Sequence, residues 1–135
     1  MARLPPNIDL ELTLDQESYW RNSLKVLTRC DVDSSSRLLL PKKWVETQVL
    51  RGMDQNLKEQ CRSINGKEFE VRDVDTNTKH DLVLKQWASN SFVLTTNWKR
   101  QFVNRRTLEE GDEIGLLWDG SKFYFSLRRK SYRVY

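Results

Sequence analysis

The sequence predicts a mainly β domain, a small barrel or sandwich of seven short strands and two short helices. Three observations carry this. Apolar and polar residues alternate over short runs, the pattern of a half-buried strand. Turn-forming residues recur between those runs at intervals that suit a small all-β fold. The 135 residues suffice for one core, or one domain plus a tail.

Residues 1 to 19 read as an arm, because Pro5-Pro6 interrupts regular structure. Leu24-Lys25-Val26-Leu27 alternates and then meets the polar stretch from Asp31 to Ser36. Arg37 to Leu40 is a second short strand. Pro41 suits the first turn of a helix, where its missing N–H costs nothing. Trp44, Val45 and Val49 give that helix a buried face, and Gly52 stops it. The polar residues 53–65 are assigned to no element.

Phe69 and Val71 share one strand face, with Glu68, Glu70 and Arg72 on the other. Asp75-Thr76-Asn77 is a turn, and His80 is expected in a solvated polar turn running from Asn77 to Asp81. Leu82 and Leu84 continue the alternation, followed by Phe92 and Leu94. Asn97 is expected to N-cap a short helix carrying Trp98, Phe102 and Val103. Gly111-Asp112 breaks the chain. Ile114, Leu116 and Trp118 face one way, Asp119-Gly120 signals a type I′ hairpin, and Phe123, Phe125 and Leu127 return the strand.

Composition excludes several classes. With 38% apolar and 31% charged residues the chain reads as neither a membrane protein nor a disordered one. No run approaches the roughly 18 apolar residues of a spanning helix. The N-terminus lacks the apolar core of a secretory signal. Cys30 and Cys61 form neither a disulfide framework nor a Cys-x-x-Cys knuckle, which fits a reduced intracellular compartment. His80 is the single histidine, so histidine-based zinc sites are excluded by count. The expectation is no metal and no cofactor.

The net charge of +4 is unevenly spread. Residues 1–20 sum to −3, which leaves +7 on the rest. A basic body suggests a polyanionic partner, and an acidic arm a different one. No Gly-rich phosphate loop or Gly-x-Ser-x-Gly elbow occurs. The paired carboxylates Asp31/Asp33 and Glu109-Glu110-x-Asp112-Glu113 have no lysine or base placed beside them. They read as turn residues, and no catalytic residue is assigned.

The basic residues are more informative. Lys25, Arg29, Arg37, Lys42 and Lys43 gather around the first two strands. Arg29 and Arg37 bracket a loop containing Asp33, Ser34, Ser35 and Ser36. Serine hydroxyls and backbone N–H groups hold phosphates, and arginine forks onto guanine edges. A second loop runs Lys85-Gln86-Trp87-Ala88-Ser89-Asn90-Ser91. Gln86 and Asn90 match adenine, Lys85 suits phosphate or guanine, and Ser89 and Ser91 add hydroxyls. Trp87 reads either as a packing residue or as a base-stacking one. Lys99, Arg100, Arg105 and Arg106 on the second helix, and Arg128, Arg129 and Lys130 after the last strand, read as solvated surface.

The order of these motifs resembles the plant B3 DNA-binding domain. Lys25-Val26-Leu27-Thr28-Arg29-Cys30-Asp31-Val32 and Arg37-Leu38-Leu39-Leu40-Pro41-Lys42 resemble its opening. Leu94-Thr95-Thr96-Asn97-Trp98, Phe102-Val103, Leu108 and Gly111-Asp112-Glu113-Ile114 resemble its second half. The resemblance covers about residues 20 to 128 and implies a seven-stranded open pseudo-barrel with short helices at its ends. It also implies binding of double-stranded DNA in the major groove through two loops, the N-arm at about 29–37 and the C-arm at about 85–91. Cys30 stands where the family often has Ser, and Asn97 where it has Gly. Some relatives carry Arg in the C-arm, so their target sequence does not transfer.

Within the acidic arm, Leu10, Leu12 and Leu14 spell L-x-L-x-L. This resembles the repression motif that plant transcription factors offer to TOPLESS-type corepressors. An extended peptide places all three leucines on one face, suited to a groove. The same leucines can instead pack on the barrel with Trp20.

The reading is therefore an acidic N-terminal arm (1–19), a B3-type pseudo-barrel (20–130) and a short tail (131–135). Its expected function is sequence-preferring duplex DNA binding in the nucleus, as a transcription regulator and not an enzyme. The alternative is a corepressor-recruiting interaction module with only non-specific DNA affinity. A third reading, a Mg²⁺-dependent nuclease, follows from barrels of this type in some bacterial restriction enzymes.

Overall fold

A computed structural model of the chain describes residues 20–131. The leucines of the L-x-L-x-L motif and the last four residues lie outside that range. Seven strands form one sheet: β1 (Leu24–Val26), β2 (Leu38–Leu39), β3 (Lys67–Asp73), β4 (Thr78–Gln86), β5 (Phe92–Thr95), β6 (Glu113–Trp118) and β7 (Phe123–Arg129). Their order is β1-β6-β7-β3-β4-β5-β2. Neighbours run antiparallel except β3 and β7, which are parallel. The sheet curls into an open pseudo-barrel whose two edge strands, β1 and β2, are not paired with each other.

The alternation read from the sequence is the alternation of burial in β3 and β4, whereas β5, β6 and β7 carry consecutive buried residues. Leu38, Leu94 and Leu84 lie opposite one another across β2, β5 and β4, and all are fully buried. Val71 sits between Phe123 and His80 on the neighbouring strands. An aromatic group fills the interior: Trp98 stacks on Phe102 at 5.2 Å, and Phe102 meets Phe125 edge-on at 4.8 Å.

Besides the 3-10 turn Arg21–Ser23 before β1, the described residues form four helical segments. α1 is the single turn Arg29–Val32. α2 spans 42–52, passing from an α-turn (Lys42–Trp44) through a π-turn (Val45–Val49) to a 3-10 turn (Leu50–Gly52). It buries Trp44, Val45 and Val49 and ends at Gly52, as its sequence requires. α3 is Gln55–Arg62. It falls in the stretch that the pattern left unassigned, because Cys61 alone is fully buried and Leu57 only partly. Its signal was the N-cap: the Asp54 carboxylate accepts the Leu57 N–H at 2.7 Å. α4 spans 98–106 and is mostly π-helical.

Three local expectations are corrected. His80 is not in a turn. It lies in β4, buried two residues before Leu82 on the same face. Its Nδ1 pairs with Gln101 Oε1 at 2.7 Å and its Nε2 with the Thr78 hydroxyl at 2.8 Å. Asn97 does not cap α4 from an extended conformation. It takes φ +65°, and its side-chain oxygen accepts from Arg100. The β6–β7 hairpin forms, but not on a two-residue type I′ turn. Gly120 alone of the pair has positive φ, and Asp119 Oδ1 accepts the N–H groups of Ser121 and Lys122 instead.

At the start of the domain, Trp20 is buried against β6. A Cβ on Gly115 would lie 2.5 Å from its ring, so the glycine there makes room for the indole.

Candidate nucleic-acid interface

The loop between β1 and β2 is built around one carboxylate. Asp31 is fully buried, and its oxygens accept from the Thr28 N–H (2.8 Å), the Thr28 hydroxyl (2.9 Å), the Leu39 N–H (3.1 Å) and Arg37 Nη1 (3.0 Å). Lys25 Nζ lies 3.1 Å from the same carboxylate and also donates to the Leu39 carbonyl. Asp31 thus joins the two unpaired edge strands. A buried charge of this kind is tolerable only when its lone pairs are satisfied, as these are. Burial pushes the Lys25 ammonium below its ordinary value, with Asp31 working the other way.

The tip of this loop is held by short-range bonds. Asp33 Oδ1 accepts the Ser35 N–H at 2.9 Å and the Ser35 hydroxyl at 2.6 Å. The Ser35 bonds, hydroxyl first, hold the Asp33 carboxyl below the usual range. Ser36 turns inward at φ +51°. Its Oγ accepts the Lys99 N–H, and Trp98 Nε1 and Lys99 Nζ donate to the carbonyls of Asp31 and Val32 at 2.7 Å. The loop is therefore seated on the N-terminus of α4.

The second loop projects from β4 and β5. The Trp87 N–H donates to the Ser91 carbonyl at 2.8 Å, and the Asn90 N–H to the Trp87 carbonyl at 2.9 Å. Asn90 supplies the positive φ, +68°, that this tight turn needs. Trp87, Ala88, Ser89 and Asn90 are exposed, while Lys85, Gln86 and Ser91 are half-buried. The loops meet where Arg37 Cζ lies 5.5 Å from the centre of the Trp87 ring.

Asp33 and Ser35 are bonded to each other at the tip of the first loop, and the other residues singled out in the sequence fall into two groups. Lys25, Ser36 and Arg37 are engaged inside the protein. Arg29, Ser34, Lys42, Lys85, Trp87, Ser89 and Asn90 lie on the rim of the two loops, joined by Gln86 and Ser91 at the base of the second. Arg29, Lys42 and Lys85 make no ion pair among the described residues. Pattern reading missed Arg62. It lines an open cleft of about 390 Å³ with Lys42, Glu46, Gln86 and Asn90. Its placement depends on α3.

The other basic groups are largely not free surface. Arg105 and Arg106 both grip Asp73, which is fully buried, and Arg106 also pairs with Asp75. Burial opposes ionisation of Asp73, but the two guanidinium bonds outweigh it and hold its carboxyl low. Lys130 and the Ser131 N–H hold buried Asp112. Asp31 and Asp112, members of the two carboxylate groups noted in the sequence, are thus committed to structural bonds. Among the described residues no three potential ligands gather as a metal site, and no helix is long and apolar enough to cross a membrane.

Comparison with known proteins agrees with this architecture. The family model described as "B3 domain-containing protein At5g26805, C-terminal domain" matches residues 20–128. In Arabidopsis thaliana, a protein named for its B3 domain, At1g78640, is 35% identical over 96 residues, 70% of this chain but 20% of that protein. A second, At1g10455, is 34% identical over 116 residues, 84% of this chain and 74% of the relative. Among solved structures, the protein of the Arabidopsis FUS3–DNA complex aligns with a TM-score of 0.62 and 26% identity, over 80% of this chain and 96% of that one. The ordered motifs, the open seven-stranded barrel and the family match place this chain in the B3 domain family.

Proposed function

We propose that this chain binds double-stranded DNA through its two loops and acts in the nucleus as a transcription regulator, its domain spanning residues 20–130. The observation that carries the reading is the grouping at one end of the barrel. Cations with no ion pair among the described residues (Arg29, Lys42, Lys85, Arg62) lie about two polar loops that meet at Arg37 and Trp87. Cations without protein partners can neutralise phosphates, whereas those already paired to Asp31, Asp73 or Asp112 cannot do so without loss. The solved FUS3 relative is a DNA complex, which supports the same partner here.

The test is selection of bound duplexes from a random-sequence pool at physiological salt. Enrichment of a short motif establishes sequence-preferring binding. A flat pool with steeply salt-dependent retention reduces the function to phosphate attraction. The chain spans a fifth of At1g78640, so the activity assigned is that of this domain.

A second proposal concerns the acidic arm. The L-x-L-x-L spacing of Leu10, Leu12 and Leu14 supports recruitment of a TOPLESS-type corepressor, which makes the regulator a repressor. Pull-down of the corepressor should be lost on Leu12→Ala with Leu14→Ala; retention removes this proposal.

A further inference from the structure

We infer that Trp87 is a positioning residue: its ring holds the Arg37 guanidinium in one orientation, so that the two loops read DNA as one coupled unit. This rests on the DNA-binding reading above and adds to it a division of labour between two residues.

The geometry has three parts. Arg37 is gripped from one side by Asp31, through Nη1 at 3.0 Å. From the other loop the Trp87 ring lies 5.5 Å from its Cζ, within the reach of a cation–π contact. Nη2 and Nε of Arg37 donate to no group among the described residues, and the side chain keeps 15% of its surface exposed. A guanidinium is planar, and fixing one nitrogen on a carboxylate and one face on a ring removes most of its rotational freedom. Asp31 cannot drift in turn, since Thr28, Lys25 and the Leu39 N–H hold it as well.

Burial separates this from simple packing. Trp87 is 39% exposed, one of the few large apolar side chains left in solvent among the described residues. An indole serving only the core would sit under its loop, as Trp98 does at 1%. Trp87 instead stands just after β4, where its ring meets the cation of the opposite loop. The second loop therefore contributes to specificity by aiming an arginine of the first.

The experiment has two arms. In the first, the DNA-free protein is labelled with ¹⁵N at arginine. The Arg37 Nε–H resonance should be shifted by the indole ring current and should move on Trp87→Ala, while the protein stays folded. An unchanged resonance overturns the proposal. In the second arm, affinity is measured for a fluorescein-labelled duplex enriched from the random pool and for its scrambled counterpart. Trp87→Ala should cut the preference between them roughly three- to ten-fold, and Trp87→Phe should restore most of it. In an Arg37→Lys background, which keeps a charge for Asp31 but removes the fork, Trp87→Ala should add little. Additive losses, or Trp87→Phe as damaging as Trp87→Ala, overturn the coupling. A wild-type chain that enriches no sequence defeats the sequence-reading function separately, and the resonance comparison still decides whether Trp87 holds Arg37.

Discussion

The hydroxyl of Ser36 accepts the backbone N–H of Lys99 at 3.0 Å, across 63 residues of sequence. A loop that reads as a polar tip is thus tied to the start of α4. The bond satisfies an amide that the helix itself leaves without a partner. Ser36→Ala should cost about 1 kcal/mol, the scale of a lost helix cap. Urea unfolding measures it. Ser34→Ala, on the exposed tip, should cost almost nothing, and equal costs would contradict the assignment.

Asp31 is the larger structural commitment. Asp31→Ala leaves Lys25 and Arg37 near each other without their counter-charge and releases the Leu39 N–H. Removing one partner of a buried pair costs roughly 3–5 kcal/mol. Asp33→Ala, whose bonds are confined to its own turn, should stay within about 1 kcal/mol. Both are read from denaturation midpoints. An Asp31→Ala protein as stable as the wild type would remove the seam between β1 and β2 as a stabilising feature.

The loop cations should separate from the structural ones. Arg29→Ala, Lys42→Ala and Lys85→Ala should each reduce the slope of log affinity against log salt by about 0.9, without moving the unfolding midpoint. Arg37→Ala should lower both affinity and stability, because its guanidinium also neutralises Asp31. If Arg37→Ala left stability untouched, the ion pair would contribute nothing.

His80 and Asp119 are among the groups that give stability a pH dependence. Burial, against a smaller contribution from the Gln101 bond, keeps His80 below its ordinary 6.5. A neutral ring protonated at Nδ1 satisfies both contacts, donating to Gln101 Oε1 and accepting from the Thr78 hydroxyl at Nε2. As pH falls through 6.5 the unfolded chain takes up the proton first, so stability present above that value is lost below it. Asp119 behaves oppositely in cause and alike in sign. Burial works against its charge, but the Ser121 and Lys122 amides and the Tyr124 hydroxyl bring its value down to about 2 from 3.8. Its contribution is complete above 3.8 and disappears as pH falls towards 2. Urea midpoints should decline as pH falls through about 6.5, the ordinary imidazole value, and His80→Gln should flatten that limb. Asp119→Asn should reduce the steeper loss at lower pH.

Gly115→Ala should destabilise by about 1–3 kcal/mol, because the added methyl meets the Trp20 ring within a packed interior. Trp20→Leu in that background should recover part of the loss. Calorimetric midpoints of the single and double variants decide it.

Strand legibility followed burial. β3 and β4 present one face to the core, so period-two alternation exposed them. β6 and β7 were found by the same spacing of large apolar residues, although residues between them, such as Tyr124 and Ser126, are buried too. The edge strand β2 was located although only Leu38–Leu39 pair. α3 was invisible because one buried cysteine and a half-buried leucine make no periodic stripe. His80 was misplaced because its neighbours Thr78, Lys79 and Asp81 are polar, although it keeps the inward phase of Leu82 and Leu84. In the candidate site both loops were legible as runs of hydroxyls, amides and cations between strands.

What the sequence determined by itself was the strand inventory, the order of family motifs and the two loops proposed to meet DNA. These depend on local periodicity and residue type, which a linear chain displays. Only the tertiary structure decided which charges are available. Lys25, Arg105, Arg106 and Lys130 look no different in sequence from Arg29, Lys42 and Lys85, yet the first group neutralises buried Asp31, Asp73 and Asp112. The physical reason is that a buried carboxylate is stable only beside donors, and the chain supplies those donors from strands and helices far apart in sequence. The contact between Arg37 and Trp87 has the same origin: β2 and β4 both flank β5, and that brings their loops together.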